Sequence, residues 1–114
     1  MEPSFQSPKK PDAFSRMKDL TSVAEFHGHL CGGLAFAYRV VGAALRELEI
    51  SGDPGKCLVA SSETIDACGI DTFQVVAGCT MGKGNLKAHD YGKHAFTFID
   101  KKSGNAVRIV RCKD

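Results

Sequence analysis

Two imidazoles and a thiol stand at alternate positions, with three glycines beside them, in Phe26-His27-Gly28-His29-Leu30-Cys31-Gly32-Gly33. Imidazole nitrogen and thiolate sulfur are ligands that zinc accepts readily, and glycine lets the backbone close around a bound group. In extended backbone, side chains two residues apart point the same way, so His27, His29 and Cys31 can converge on one ion or one substrate. In a helix they fan out. A closed site takes about four ligands, so a further one must come from another part of the chain. Cys68 is the best remote candidate, because it opens an expected helix just after a strand that ends at Glu63. The metal ligands read from the sequence are therefore His27, His29, Cys31 and Cys68. Mixed imidazole and thiolate ligands suit zinc best, with iron second. The same residues allow a different chemistry. A thiolate at the start of a long helix is favoured by the helix dipole and by nearby imidazolium, so Cys31 can instead serve as a reactive thiol without metal.

Around this motif lie groups suited to proton transfer and anion binding. Asp71 and Glu63 are the candidates to move a proton, with Cys31 the candidate nucleophile. Arg39 sits in an otherwise apolar helical stretch and needs either a carboxylate or an anionic ligand, or it reaches the surface along its own stem. The loop Gly78-Cys79-Thr80-Met81-Gly82-Lys83-Gly84-Asn85 invites comparison with a phosphate-binding loop. The comparison fails. Only three residues separate Gly78 from Gly82, Gly84 stands where Ser or Thr should hold magnesium, and a helix precedes the loop where a strand is required. Backbone amides in this loop, together with Cys79, Thr80, Lys83 and Asn85, still make it a candidate anion site.

The elements that must position these groups follow from periodicity. Residues 1–13 carry three prolines with polar neighbours and read as an arm, leaving 14–114 as one domain. Apolar spacing predicts a first helix over 14–26, delivering the chain to His27. A second helix, beginning at about residue 31 or 33 and ending at 49, is apolar nearly all round. Residues 57–62 read as a central strand, 67–77 as a third helix with Asp66 as N-cap, and 86–90 as a short strand. Alternation over 91–100 and 107–110, joined by Lys101-Lys102-Ser103-Gly104-Asn105, predicts a hairpin. The architecture expected is α+β, an antiparallel sheet with helices packed on one face. Cys68 and Cys79 fall at opposite ends of the third helix, roughly 16 Å apart at about 1.5 Å per residue, so they cannot share one metal in one chain. Cys57 and Cys112, on expected strands, read as packing residues.

Composition narrows the function classes. The chain has 114 residues, 43% hydrophobic and 25% charged, which is ordinary for one globular domain. Its net charge of +2 is too small to suggest nucleic acid, although residues 83–114 hold eight Lys/Arg against three Asp/Glu. No apolar run is long enough to span a bilayer and the start does not resemble a signal peptide, so the expected location is cytoplasmic. Five cysteines, an odd number with no Cys-x-x-Cys pair, point to metal or thiol chemistry instead of a disulfide scaffold. The all-round apolar helix has more greasy surface than one small sheet can cover. That predicts a homodimer burying helix 34–48 at a two-fold interface.

Four motifs in order carry a resemblance. They are Phe-His-Gly-His-x-Cys at 26–31 with Gly33 and Tyr38-Arg39 following, Asp66-Ala-Cys68-Gly-x-Asp71-x-x-Gln74, Gly78-Cys79-Thr80-x-Gly82-Lys83-Gly84-Asn85-Leu86, and Asp90-Tyr91-Gly92-Lys93. Over about residues 20–111 the chain resembles the E-subunit family of formylmethanofuran dehydrogenase. Gly32 departs from the family, which usually has proline after the cysteine. Many relatives also carry a C-terminal segment of Cys-x-x-Cys zinc-finger pairs, which has no counterpart up to Asp114. The resemblance implies a dimeric, commonly metal-binding α+β protein associated with a molybdenum or tungsten enzyme that makes formylmethanofuran from carbon dioxide. The chain lacks a molybdopterin motif and clustered iron–sulfur ligand spacing, so it does not run that reaction alone. Two readings stand. The protein is a small metal- or thiol-dependent enzyme acting on an anionic small molecule, or a metal-binding accessory subunit or carrier without turnover.

Overall fold

The computed structural model describes residues 12–112. The arm expected at 1–13 lies mostly outside them. Its last residue, Ala13, is buried, and its amide donates to the Ile50 carbonyl at 2.8 Å. The helix expected from 14 starts later, as α1, Leu20–His27. Residues 12–15 form a turn closed by the Asp12 side chain, which accepts from the Ser15 amide at 2.9 Å. Asp19 then caps α1 by accepting from the Ser22 amide at 3.0 Å. An aspartate three residues before a serine carries this start, and apolar spacing alone hides it.

Helix α2, Gly32–Glu47, is the longest element. Its Leu34, Ala37, Val40, Val41, Ala44 and Leu45 are buried within the single chain. Arg39, Ala43, Arg46 and Glu47 remain exposed. The apolar surplus that led to an expected two-fold interface is therefore largely covered by the chain's own elements. Helix α3 is a single turn, Pro54–Cys57, capped by Asp53, so the strand expected from Cys57 begins one residue later. Strand β1, Leu58–Ser62, leads to α4, Ala67–Thr72, which runs directly into a π-helical turn, Phe73–Ala77. Strands β2, Leu86–Ala88, β3, Ala95–Asp100, and β4, Ala106–Val110, complete the chain.

The sheet order is β2-β1-β3-β4. The β1/β3 and β3/β4 pairs are antiparallel, but β2 runs parallel to β1, with Ala60 opposite Leu86. The sheet is mixed where an all-antiparallel one is expected from the strand pattern. The reason is topological. Helix α4 and the loop after it carry the chain back to the starting end of β1, and a crossover of that length delivers a parallel strand.

One face of the sheet meets the helices. Leu58, Ala60 and Ser62 of β1 and Phe96 and Phe98 of β3 are fully buried, while Val59, Ser61, Thr97 and Ile99 at the alternate positions are partly or well exposed and only Ala95 among them is buried. Phe73 packs edge-on against both Phe96 and Phe98, with ring centroids 5.3 and 5.2 Å away. The fold is α+β, and among the described residues no helix is long and apolar enough to cross a membrane.

Candidate metal centre

Helix α1 ends at His27, and Gly28 turns the chain with φ of 110°, a conformation that a side chain would strain. Three residues later the backbone is extended at Cys31, the N-cap of α2. The two helices thus leave His27 and Cys31 side by side across a short turn. Helix α4 packs against both and brings Cys68, in its first turn, to the same point. A ligand atom from each of His27, Cys31 and Cys68 falls within 4.8 Å of the others. The Cys31 and Cys68 sulfurs are 3.5 Å apart, and Cys68 Sγ is 3.5 Å from His27 Nε2. Gly33 permits the approach. A methyl there would stand 3.2 Å from Cys68 Sγ, tighter than ordinary contact.

The two separations that involve Cys68 fit a metal. With Zn–S near 2.3 Å and Zn–N near 2.0 Å, two ligands of a tetrahedron lie roughly 3.5–3.8 Å apart. The far nitrogen of His27 is also engaged, since Nδ1 lies 2.8 Å from Asp71 Oδ2. A carboxylate there holds the proton on Nδ1 and leaves the Nε2 lone pair toward the two sulfurs, as in carboxylate–histidine–zinc arrangements. Asp71 lies on α4 one turn beyond Cys68, so one helix supplies both a candidate ligand and the group that orients another.

The thiols are not equivalent. The Leu34 amide in the first turn of α2, together with the Cys68 thiol, draws Cys31 below the ordinary thiol value. Burial, then the bond to Cys31 and its charge, pushes Cys68 up to about 11. Of the two thiols, Cys31 is therefore the one that gives up its proton first.

The other sequence candidates lie outside this group. His29 is exposed, its ring 4.8 Å from that of His27 and tilted by 45°. Glu63 receives two hydrogen bonds from Arg108, at 2.7 and 2.9 Å, which hold its carboxyl below the usual carboxylate range and ionised at neutral pH. It is placed as an ion-pair partner on β4's side of the sheet. Arg39 is exposed on α2. Cys79 is fully buried, and burial pushes its thiol up to about 11. Of the two cysteines assigned to packing, Cys57 is half-buried at the end of α3, but Cys112 is exposed beyond β4, because the final strand is an edge with little to cover it.

The loop after the π-turn spends its amides internally. The Cys79 amide donates to the Phe73 carbonyl, Thr80 to Asn85 Oδ1 at 2.8 Å, Lys83 to Thr80 Oγ1 at 3.1 Å and Gly84 to the Met81 carbonyl. Asn85, 6% exposed, also donates from Nδ2 to the Gly55 carbonyl at 3.0 Å, locking the loop onto α3. These groups explain the motif structurally. Asn85→Ala should cost about 2 kcal/mol, because it strands the Thr80 amide and the Gly55 carbonyl, while metal content stays unchanged. Urea denaturation beside metal analysis checks both.

Residues 26–113 match the family described as FmdE, molybdenum formylmethanofuran dehydrogenase operon. The chain belongs to the FmdE family. A probable S-adenosyl-L-methionine-binding protein of Archaeoglobus fulgidus is 34% identical over 94 residues, covering 79% of this chain and 25% of that protein. A crystal structure of a tungsten formylmethanofuran dehydrogenase FmdE-like protein from Syntrophus aciditrophicus superposes with a TM-score of 0.62 at 28% identity, covering 73% of this chain and 42% of that one. The chain thus spans about a quarter of the first relative and two-fifths of the second. All three members of the candidate metal group fall inside the span that defines the FmdE domain.

Proposed function

We propose that this FmdE domain holds a zinc ion on His27 Nε2, Cys31 Sγ and Cys68 Sγ, with one coordination position left for an exchangeable ligand, and that it acts there on an anionic small molecule. The observation that carries the reading is the spacing of the three ligand atoms together with the Asp71 carboxylate on the outer nitrogen of His27. Three protein ligands and an open position are the pattern of catalytic zinc, whereas four protein ligands are that of structural zinc. When bound, such an ion supplies Lewis-acid polarisation and a water of lowered pKa. The chain's own residues do the rest. Asp71 fixes the His27 tautomer, and Cys31 and Cys68 are both half-buried.

The second reading, a metal-binding accessory subunit without turnover, is favoured by the operon in the family's description. One set of measurements separates the two. The purified protein should carry about one zinc per chain, and Cys31→Ser and Cys68→Ser should each lose most of it while remaining folded. Cys57→Ala should keep it. Full zinc in both serine variants overturns the site, and iron in place of zinc corrects the ion. With cobalt(II) in the site, a visible spectrum that shifts on adding cyanide shows the exchangeable position of an enzyme. An unchanged spectrum favours the accessory role.

A further inference from the structure

Cys31 and Cys68 come from positions 37 residues apart, yet their sulfurs stand 3.5 Å from one another. Among the described residues no other two cysteine sulfurs make such a contact. Cys79 is buried with its thiol directed at the Leu58 and Ala77 carbonyls, Cys57 ends α3, and Cys112 lies beyond β4. The sulfurs of a disulfide are about 2.05 Å apart, so the Cys31 and Cys68 sulfurs have only about 1.5 Å left to close.

The surroundings permit that approach. Cys31 stands in extended backbone at the N-cap of α2, and the turn before it, 28–30, belongs to no helix or strand. A small adjustment there needs no helix to unwind. Cys31 is also open to a reagent. Gly32 and Gly33 beside it are exposed, and a methyl group added at Gly32 would meet nothing within 4 Å. Cys68 is the inner sulfur, packed under Gly33 in the first turn of α4. An accessible thiol with a second thiol directly behind it is the arrangement of a dithiol that oxidises in two steps.

We propose that Cys31 and Cys68 form a redox-active dithiol, which closes to a reversible disulfide and thereby withdraws both sulfurs from metal. The thiol chemistry stands by itself, and the effect on metal rests on the zinc reading. The oxidant is a low-molecular-weight disulfide. The Cys31 thiolate attacks one of its sulfurs, forming a mixed disulfide and expelling the first small thiolate. The Cys68 thiolate then attacks Cys31 Sγ, forming the Cys31–Cys68 bond and expelling the second. Two electrons pass from the cysteines to the reagent, and the two cysteine protons end on the two small thiols released. From a metal-bound pair those two protons come from solvent, and the ion leaves into water. His27 keeps its bond to Asp71, but one imidazole falls well short of the three or four ligands that hold zinc. The candidate centre is therefore loaded only under reducing conditions.

The test treats the full-length protein with oxidised glutathione, either after removal of metal by a chelator or in the presence of zinc, and maps peptides after the remaining thiols are alkylated. In the metal-free protein we expect one linked pair of peptides, carrying Cys31 and Cys68, with both thiols restored by dithiothreitol. Cys31→Ser should give no linked pair, and Cys57→Ala should give it as the natural sequence does. With zinc at about 100 times its Kd, linking should slow about 100-fold, because only the metal-free fraction reacts, and each linked pair should release its zinc. No link between Cys31 and Cys68 in the folded metal-free protein, or another cysteine pair linking in preference, would overturn the dithiol whether or not zinc binds. Linking at the same rate with and without zinc would support the dithiol and overturn the zinc site.

Discussion

Phe73→Ala should destabilise the protein by about 4 kcal/mol, the largest loss expected from any single truncation of the core. The ring is fully buried and sits edge-on between Phe96 and Phe98 of β3, both fully buried as well. Removing it leaves a cavity flanked by two aromatic edges and by the rigid sheet that carries them. A small domain with a total stability of some 5–15 kcal/mol would retain little margin. The effect should reach the candidate metal group too. Phe73 opens the π-helical turn that continues α4, the helix carrying both Cys68 and Asp71. The measurement is a denaturant midpoint with and without a chelator. Metal should recover part of the loss, because an ion that binds only the folded state stabilises it by mass action. Phe73→Leu should lose much less. A Phe73→Ala loss under about 1 kcal/mol would contradict the packing described.

Part of this arrangement is readable from the sequence, and the divide follows the range of the interaction. The long second helix and the final hairpin depend on neighbours within a few residues and appear near where periodicity places them, the hairpin's first strand starting at Ala95 instead of residue 91. His27 and Cys31, by contrast, meet through the helix end and the Gly28 turn and not through extended alternation, which leaves His29 outside. Cys68 is reached by a weaker argument, that groups gather at the end of a central strand, and α4 does bring it to Cys31. The bond between His27 and Asp71 links residues 44 apart, and that between Glu63 and Arg108 residues 45 apart. No local pattern encodes such pairs. Glu63 therefore looks in the sequence like a free carboxylate at a strand end, and its role changes once Arg108 is beside it.

The π-helical turn shows a different limit. Regular α spacing over 67–77 places Ile70, Phe73, Gln74 and Ala77 on one face. Widening at Phe73–Ala77 shifts the inward positions, so Phe73, Val76 and Ala77 are buried while Ile70 and Gln74 are only half-buried. The parallel placement of β2 is missed for a similar reason. A strand of three residues has too little pattern to reveal its direction, and only the crossover through α4 fixes it. In both cases the sequence supplies the element, and tertiary packing decides its phase or direction.

Asp71→Asn should weaken metal binding by a factor of about 10 to 100 while leaving the fold intact. The carboxylate accepts from His27 Nδ1 at 2.8 Å and so holds the proton on the nitrogen that faces away from the sulfurs. An asparagine amide is nearly the same size but offers a donor as well as an acceptor. It can settle for either tautomer of His27, and it withdraws the negative charge that makes the imidazole a better ligand. The side chain of Asp71 is 28% exposed, against 9% for His27, so a neutral amide there is readily solvated and should cost little stability. Competition with a chromophoric chelator gives the affinity, and thermal denaturation of the metal-free form checks the fold. His27→Gln sets the upper bound, since it removes a candidate ligand and should bring the affinity down at least as far as Cys68→Ser. If Asp71→Asn binds metal as tightly as the natural sequence while Cys68→Ser does not, the carboxylate has no part in tuning the site. Its bond to His27 would then be a structural tie between α1 and α4.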